Sequence, residues 1–139
     1  LLVIDLDHFK EVNDTLGHNA GDALIMEVAG LIRKRVRTSD LVARLGGDEF
    51  AVLLPRGAAK DAETVARALV EMFRARPPVQ GSDLRVTASV GVVAFGERAD
   101  ADKTLICADQ AMYDAKRSGR DGFAVYRLSE SLTGARVGC

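Results

Sequence analysis

The stretch at residues 41–55, LVARLGGDEFAVLLP, most constrains the fold of this chain, because two short apolar runs flank a glycine pair and two acidic residues. Both runs have the length and the composition of β-strands. The paired glycines supply the positive φ that a tight connection needs. The stretch therefore predicts a hairpin whose tip presents Asp48 and Glu49 at the edge of a sheet. A solvated polar turn is the simple alternative, since Gly, Asp and Glu are common in turns for reasons unrelated to function.

Length and composition limit the class of protein. The chain has 139 residues, which is enough for one domain with a buried core. Hydrophobic residues make up 47% and charged residues 28%, with a net charge of -1, so a folded domain is predicted and no basic excess points to nucleic acid. The two cysteines make no disulfide framework and suit a reducing cytosol, so we expect a cytoplasmic location.

The chain opens on a continuous apolar run, residues 1–4, followed by Asp5, Leu6 and Asp7. This pattern predicts a strand that is buried on both faces and carries carboxylates at its C-terminal end. Residues 8–22 show little apolar periodicity, so a turn of helix and a loop are expected there. Because the apolar run starts at the first residue without any lead-in, we expect an N-terminal portion to be missing.

Three amphipathic helices and two further strands are predicted in the rest of the chain. One helix begins at about Ala20, a second precedes Pro77, and a third spans about residues 104–118. Residues 84–95 and 123–126 are predicted as strands, and the tail at 127–139 has no clear pattern. The predicted inward residues are Leu24, Val28, Leu31, Ile32 and Val36 in the first helix, Ala62, Val65, Ala66, Leu69 and Phe73 in the second, and Leu105, Ala108, Met112 and Ala115 in the third.

The predicted element order is β, α, β, β, α, β, with an appended helix and strand. This order is typical of an α+β fold with a split βαβ, ferredoxin-like sheet. In such a sheet the end of the first strand and the tip of the central hairpin can be neighbours, so we expect Asp5, Asp48 and Glu49 to converge. Carboxylates and a backbone carbonyl are the hard oxygen donors that suit a Mg²⁺ ion carrying substrate phosphates.

Several separated motifs together resemble the GGDEF domain of diguanylate cyclases over roughly residues 1–126. The motifs are DLDHFK at 5–10, ND at 13–14, GH at 17–18, GD at 21–22, RLGGDEF at 44–50, AD at 108–109, AK at 115–116 and GR at 119–120. The resemblance implies a βαββαβ core related to the nucleotide cyclase and polymerase palm fold. It also implies a nucleotidyltransferase that joins two GTP molecules into cyclic di-GMP and releases two pyrophosphates.

The resemblance implies roles for the acidic residues. Asp5 and Asp48 would bind Mg²⁺, or Mn²⁺ as a second possibility, with the carbonyl of Leu6 assisting. Asp48 or Glu49 would also help to activate the attacking 3′-hydroxyl. These roles agree with general chemistry, because a metal neutralises developing charge on phosphate while a neighbouring carboxylate orients or deprotonates the hydroxyl.

The resemblance also implies a nucleotide pocket. Asn13 and Asp22 would recognise guanine, since an amide and a carboxylate can pair with the edges of the base. A loop or helix-cap role is the alternative for either residue. For the phosphate-binding basic residues, plain solvation is the alternative. The implied triphosphate contacts are Lys10, Lys116, Arg120 and the backbone amides near Phe9.

Arg37 and Asp40 form an RxxD pattern before the hairpin, where many members of the family carry an inhibitory site for cyclic di-GMP. A guanidinium suits phosphates and guanine faces, and an aspartate suits a guanine edge. The alternative is that Arg37 only ends a helix. His8 and His18 are expected to be scaffold or pocket-wall residues and not metal ligands.

The resemblance implies partners beyond GTP and cyclic di-GMP. One domain offers one nucleotide half-site, so a homodimer of facing domains would be needed for catalysis. Helices normally precede the first strand in this family, and their absence here predicts an under-covered sheet face and a shortened chain that could be inactive. We expect an upstream sensory or receiver domain, and a possible inner-membrane anchor, in the missing segments. A noncatalytic module that senses GTP or cyclic di-GMP is the second hypothesis.

Overall fold

A computed structural model describes residues 1–126 of the chain. Within that range lie five strands and four helices. The strands are β1 (Leu2–Leu6), β2 (Leu41–Gly46), β3 (Glu49–Leu53), β4 (Ala88–Val92) and β5 (Gly122–Val125). The helices are α1 (Phe9–Leu16), α2 (His18–Arg35), α3 (Ala59–Ala75) and α4 (Ala101–Arg117). Along the sequence these elements follow one another in the order β1, α1, α2, β2, β3, α3, β4, α4, β5.

The strands form one mixed sheet in the order β2-β3-β1-β4-β5. The central strand β1 pairs antiparallel with β3 and with β4, β2 pairs antiparallel with β3, and β5 lies parallel to β4. This is the predicted split βαβ arrangement with an appended helix and strand. All five residues of β1 are buried, which explains why the run is continuously apolar instead of alternating.

Helices cover the sheet on both faces. Leu2, Ile4 and Leu6 of β1 belong to the larger core, which they form with buried residues of α2 and α3. Val3 points to the other face and joins a smaller cluster with Ala108 and Met112 of α4 and with Val93. The two faces of β1 therefore serve two separate cores.

Gly91 allows α4 to lie close against β4. A Cβ atom at this position would overlap the carbonyl oxygen of Ala108 and the amide nitrogen of Met112. Because both obstacles are backbone atoms, a rotamer change cannot relieve the overlap. Gly91 is therefore required for the close packing of α4 on β4.

The prediction for residues 8–22 was wrong, because two helices occupy this range. α1 covers Phe9–Leu16 and α2 already begins at His18, with Gly17 between them at a φ of 87°. Phe9, Val12 and Leu16 have the spacing of one helical face and pack on the core, but this stripe spans only eight residues and the polar residues around it mask the period. Helix α2 thus starts two residues before the predicted Ala20.

The prediction of a strand over residues 84–95 was too long, since only Ala88–Val92 pairs as a strand. Before it, the Val79 amide donates to the Leu84 carbonyl and closes a local turn. Leu105 was wrongly placed in the core, because it is 37% exposed. Thr104 is the buried residue at that point of α4.

The predicted hairpin is confirmed as β2 and β3, and the last predicted strand corresponds to β5. The second predicted helix, α3, ends at Ala75, two residues before Pro77. Within residues 1–126, no helix combines the length and the apolar character needed to cross a membrane. The tail predicted at residues 127–139 lies outside the described range.

Candidate active site

Three acidic residues from the two central strands meet at one end of the sheet. Asp5 of β1 lies opposite Glu49, the first residue of β3, in the antiparallel register. The amide of Leu6 donates to the carbonyl of Asp48 at 3.2 Å, which joins the hairpin tip to β1. The structure thus brings Asp5, Asp48 and Glu49 together as predicted.

Burial and mutual repulsion shift the acid–base behaviour of this cluster. Burial raises the pKa of Asp5, a hydrogen bond from Lys116 opposes this, and the charge of Asp48 adds to the rise. Burial also raises the pKa of Glu49, and the charges of Asp5 and Asp109 contribute. The cluster is therefore a partly desolvated group of like charges that a cation would stabilise.

Lys116 of α4 supplies one positive charge at this cluster. Its Nζ atom lies 3.0 Å from Oδ2 of Asp5. Both side chains are mostly buried, so water screens this ion pair less than it would on the surface. A residue predicted to contact the triphosphate thus lies directly beside a predicted metal ligand.

The hairpin tip is held by a residue that was not predicted from the sequence. Arg44 donates from Nε and Nη2 to the carbonyl oxygen of Gly47, at 3.0 and 2.7 Å. Gly46 and Gly47 have φ values of 151° and 49°, which few side-chain-bearing residues adopt. A charged residue inside a β-prone run, separated from two glycines by Leu45 alone, is the signal that could have identified Arg44.

Helices α1 and α2 meet at Gly21, where the predicted guanine-binding residues come together. A Cβ atom at Gly21 would overlap Oδ1 of Asn13 and would lie 3.2 Å from the ring of Phe9. The Asn13 amide therefore rests against the backbone just before Asp22, which is exposed on α2. Lys10 is also on α1, with a side chain 90% exposed and Nζ 3.8 Å from Asp14.

The oxygen atoms at the acidic cluster suit a divalent cation that arrives with phosphates. Among the described residues, no three His, Cys, Asp or Glu side chains are arranged to hold a metal ion by themselves. Asp5 and Asp48 offer two carboxylates, and Leu6 offers a nearby carbonyl. Mg²⁺ is commonly bound by one or two carboxylates together with water and substrate phosphates, so this donor set fits it.

The RxxD residues lie in the turn after α2, away from the acidic cluster. The Arg37 amide donates to Oδ2 of Asp40 at 2.8 Å, and Arg33 donates to the carbonyl oxygens of both residues at 2.6 Å. Asp40 is buried and Arg37 is exposed. Both line a cavity of about 140 Å³. Its wall includes Leu54, which follows the last residue of β3, so the cavity lies at the end of the hairpin opposite the tip.

Comparison with known proteins gives consistent matches along the chain. The family model described as diguanylate cyclase, GGDEF domain matches residues 1–122. The bifunctional diguanylate cyclase/cyclic di-GMP phosphodiesterase MucR of Pseudomonas aeruginosa is 42% identical over 130 residues, which cover 93% of this chain and 19% of MucR. The diguanylate cyclase TpbB of the same species is 43% identical over 135 residues, which cover 94% of this chain and 31% of TpbB.

Solved structures show the same fold. The crystal structure of the GGDEF domain of TpbB has a TM-score of 0.81 at 43% identity and covers 91% of this chain and 81% of that domain's chain. The GGDEF domain of DgcB from Caulobacter crescentus, in complex with c-di-GMP, has a TM-score of 0.79 at 32% identity, with 90% and 75% covered. The chain spans about a fifth to a third of the length of the first curated relatives that it matches. Because the family model matches most of its length, this chain belongs to the family of diguanylate cyclase GGDEF domains.

Proposed function

We propose that this chain is the catalytic domain of a diguanylate cyclase, which condenses two GTP molecules into cyclic di-GMP and releases two pyrophosphates. The observation that carries this proposal is the meeting of Asp5, Asp48 and Glu49 beside Lys116 at the hairpin tip. Relatives that match more than nine-tenths of the chain are named diguanylate cyclases. The intact acidic cluster favours this function over simple nucleotide sensing.

The reaction consists of two nucleotidyl transfers of the same kind. In each, the 3′-oxygen of one GTP attacks the α-phosphorus of the other, and the bond to pyrophosphate breaks with its electron pair leaving on pyrophosphate. The hydroxyl proton passes to a carboxylate of Asp48 or Glu49 and then to solvent. Burial and the charges of Asp5 and Asp109 raise the pKa of Glu49, which makes its carboxylate a stronger proton acceptor.

We assign the divalent ion, Mg²⁺ or Mn²⁺, to the carboxylates of Asp5 and Asp48 and the carbonyl of Leu6. When bound, the ion supplies charge neutralisation for the phosphate oxygens. Lys116, which pairs with Asp5, is assigned to bind the phosphates of GTP. Its positive charge would reduce the repulsion between the phosphates and the acidic cluster. Removing divalent cations with a chelator is expected to abolish synthesis.

The remaining parts of the nucleotide are assigned to the α1–α2 region and to the end of α4. Asn13 and Asp22 recognise guanine by hydrogen bonds to the base edges. The support for this is the contact between Asn13 and Gly21, which directly precedes Asp22. The triphosphate contacts are assigned to Lys10, Lys116, Arg120 and the backbone amides near Phe9.

One domain holds one GTP, so synthesis requires two copies facing each other. The acidic cluster lies at one end of one sheet, and a second nucleotide must reach it in line with the bond that breaks. We therefore assign the active form to a homodimer. Because the matched relatives are several times longer, we further propose that the chain works in a longer, cytoplasmic signalling protein with an upstream sensory or receiver domain.

Incubation with GTP and Mg²⁺, followed by separation of the nucleotides, tests the proposed activity. Asp48→Ala removes one carboxylate of the cluster and is expected to lower the rate by a factor of about 10³ or more, since metal and hydroxyl activation are lost together. Glu71→Ala, an exposed carboxylate on α3, is the matched control and should keep the rate of the unsubstituted chain. Unreduced synthesis by Asp48→Ala contradicts the assignment. GTP binding without any product, from the unsubstituted chain and from a longer chain with its native upstream sequence, supports the sensing hypothesis instead.

We also propose that cyclic di-GMP inhibits synthesis through the RxxD residues. This proposal is supported by Arg37, which is exposed and lines a cavity at the end of the hairpin opposite the acidic cluster. Arg37→Ala is expected to weaken inhibition by added cyclic di-GMP about tenfold or more, while the uninhibited rate stays the same. Arg37 is the better position to change, because Asp40 is buried and caps the turn. Equal inhibition in Arg37→Ala and in the unsubstituted chain removes this proposal.

A further inference from the structure

The turn after α4 holds an unusual backbone conformation. Gly119, Arg120 and Asp121 have consecutive φ values of 112°, 62° and 45°. Glycine adopts positive φ freely, but the left-handed region is unfavourable for residues with side chains. Such conformations persist where surrounding contacts hold them. This turn therefore depends on outside support, and it carries Arg120, which is assigned to the triphosphate.

Arg74, in the last turn of α3, supplies part of that support. Its Nε atom lies 2.9 Å from both carboxylate oxygens of Asp121, and its Nη2 donates to the Asp121 carbonyl at 2.6 Å. The guanidinium thus donates hydrogen bonds to both the side chain and the backbone of Asp121. The planar guanidinium presents its donors in a fixed arrangement that fits the carboxylate and the carbonyl together, which the flexible ammonium of a lysine does not reproduce.

Asp7 supplies the other part of the support. Its Oδ2 atom accepts the Asp121 amide at 3.0 Å and the Thr87 hydroxyl at 2.8 Å, and its Oδ1 accepts the Ser89 hydroxyl at 2.7 Å. Asp7 is buried, where hydrogen bonds are stronger than in water. Asp7 follows Asp5 by two residues, so the same end of β1 carries a proposed metal ligand and an anchor for the turn.

Within the turn, the contacts from Arg74 and Asp7 are made to Asp121 and not to Arg120 itself. The Arg120 amide donates to the Ala115 carbonyl at 3.1 Å, which is an ordinary closure of the end of α4. Asp121, the next residue, receives both the Arg74 and the Asp7 contacts. The position of Arg120 is therefore defined by α4 on one side and by the anchored Asp121 on the other.

We propose that Arg74 and Asp7 are positioning residues that hold residues 119–121 in the left-handed turn and so direct Arg120 toward the triphosphate of GTP. This inference rests on the proposed function, because it uses the assignment of Arg120. Arg74 and Asp7 act through Asp121 and do not touch the substrate in this role. Losing either anchor lets the turn relax and moves the guanidinium of Arg120 away from the phosphates.

Arg74→Met is the variant to measure first, because Arg74 is half exposed and its loss should leave the fold intact. Steady-state synthesis of cyclic di-GMP is expected to show kcat/KM lowered about tenfold, mainly through KM for GTP, since displacement of a binding group weakens substrate binding. Arg67→Met is the matched control. Arg67 is also exposed on α3, but its guanidinium lies over the ring of Phe123 at 5.5 Å, so kcat/KM should stay within about twofold.

A double-mutant cycle with Arg120→Met separates positioning from a general structural effect. If Arg74 acts through Arg120, Arg74→Met causes no further loss of kcat/KM once Arg120 is already Met. Additive losses, or an unchanged KM in Arg74→Met alone, overturn the inference. Absence of product from the unsubstituted chain, also when it is joined to its native upstream sequence, overturns the proposed function and this inference with it. Product from the unsubstituted chain with no change in Arg74→Met overturns the inference alone.

Discussion

At the scale of single residues, the acidic cluster combines function with a cost to stability. Asp5 is buried between two strands and close to other carboxylates, so its ionised form is disfavoured in the folded chain. Lys116 offsets part of this through the ion pair. Because the net effect is a raised pKa, the folded site holds unfavourable negative charge that a bound cation would neutralise.

Asp5→Asn is therefore expected to stabilise the folded chain at neutral pH when divalent cations are removed. The folded state binds the Asp5 proton more tightly than the unfolded state, so the stability that Asp5 contributes is present at low pH and is lost as pH rises through its raised pKa. Asn at this position does not ionise. Urea unfolding should show Asp5→Asn more stable than the unsubstituted chain at about pH 8, with the difference shrinking toward about pH 4.

Asp114→Asn, an exposed carboxylate on α4, is the control for a general charge effect in this measurement. Lower stability of Asp5→Asn at about pH 8 would show that the ion pair with Lys116 outweighs burial. In either case, synthesis should be lost in Asp5→Asn, since a proposed metal ligand is gone.

At the scale of elements, the packing of α4 on β4 fixes where the basic residues lie. Gly91 lets the two elements approach until backbone atoms of α4 fill the space of a missing side chain. Lys116 is on the same helix and reaches Asp5 of the adjacent strand β1. The spacing between α4 and the sheet therefore sets the distance between a proposed phosphate contact and the acids.

Gly91→Ala is expected to lower the free energy of unfolding by about 1–3 kcal/mol, because the added methyl group meets backbone and not a movable side chain. Gly30→Ala is the matched control, since Gly30 lies on an exposed position of α2 with no atom near its missing Cβ. That change should raise stability by about 0.4–1 kcal/mol. Urea titrations with unchanged m-values check both, and equal effects of the two changes would contradict the packing argument.

At the scale of the whole molecule, the acidic cluster and the RxxD turn lie at opposite ends of the β2–β3 hairpin. Leu41 pairs with Leu53 near the RxxD end, while Asp48 and Glu49 are at the tip. The sheet separates the two regions, so a ligand at one need not displace a ligand at the other. This arrangement suits the proposed inhibition by cyclic di-GMP if the inhibitor changes how two domains face each other, and does not compete with GTP for the acidic cluster.

The proposed homodimer predicts how activity depends on concentration. At saturating GTP, synthesis per chain should rise with chain concentration at low concentration and level off once most chains are paired. Dilution series of initial rates, with product removed enzymatically to prevent inhibition, measure this directly. A rate per chain that stays constant on dilution while most of the protein sediments as a monomer would contradict the shared site.

Much of the candidate site could be predicted because its signals are local. The glycine pair and adjacent acids define a hairpin tip within a few residues, and the apolar run before Asp5 defines a buried strand. α1 was missed because its apolar face consists of only three residues, Phe9, Val12 and Leu16, which is too short a run to establish a helical period. Leu105 was misplaced because helical periodicity does not show how α4 is rotated against the sheet.

The sequence by itself determined the family, the hairpin, the buried first strand and the acids they carry, since each depends on neighbouring residues and backbone preferences. Only the tertiary structure decided that Lys116 meets Asp5, that Asp7 and Arg74 hold Asp121, and that Arg44 closes the tip. The Lys116, Asp7 and Arg74 contacts join residues distant along the chain, and the Arg44 contact depends on the exact turn geometry. Local patterns do not encode such contacts, because they arise only when helices pack on the sheet at a particular distance and rotation.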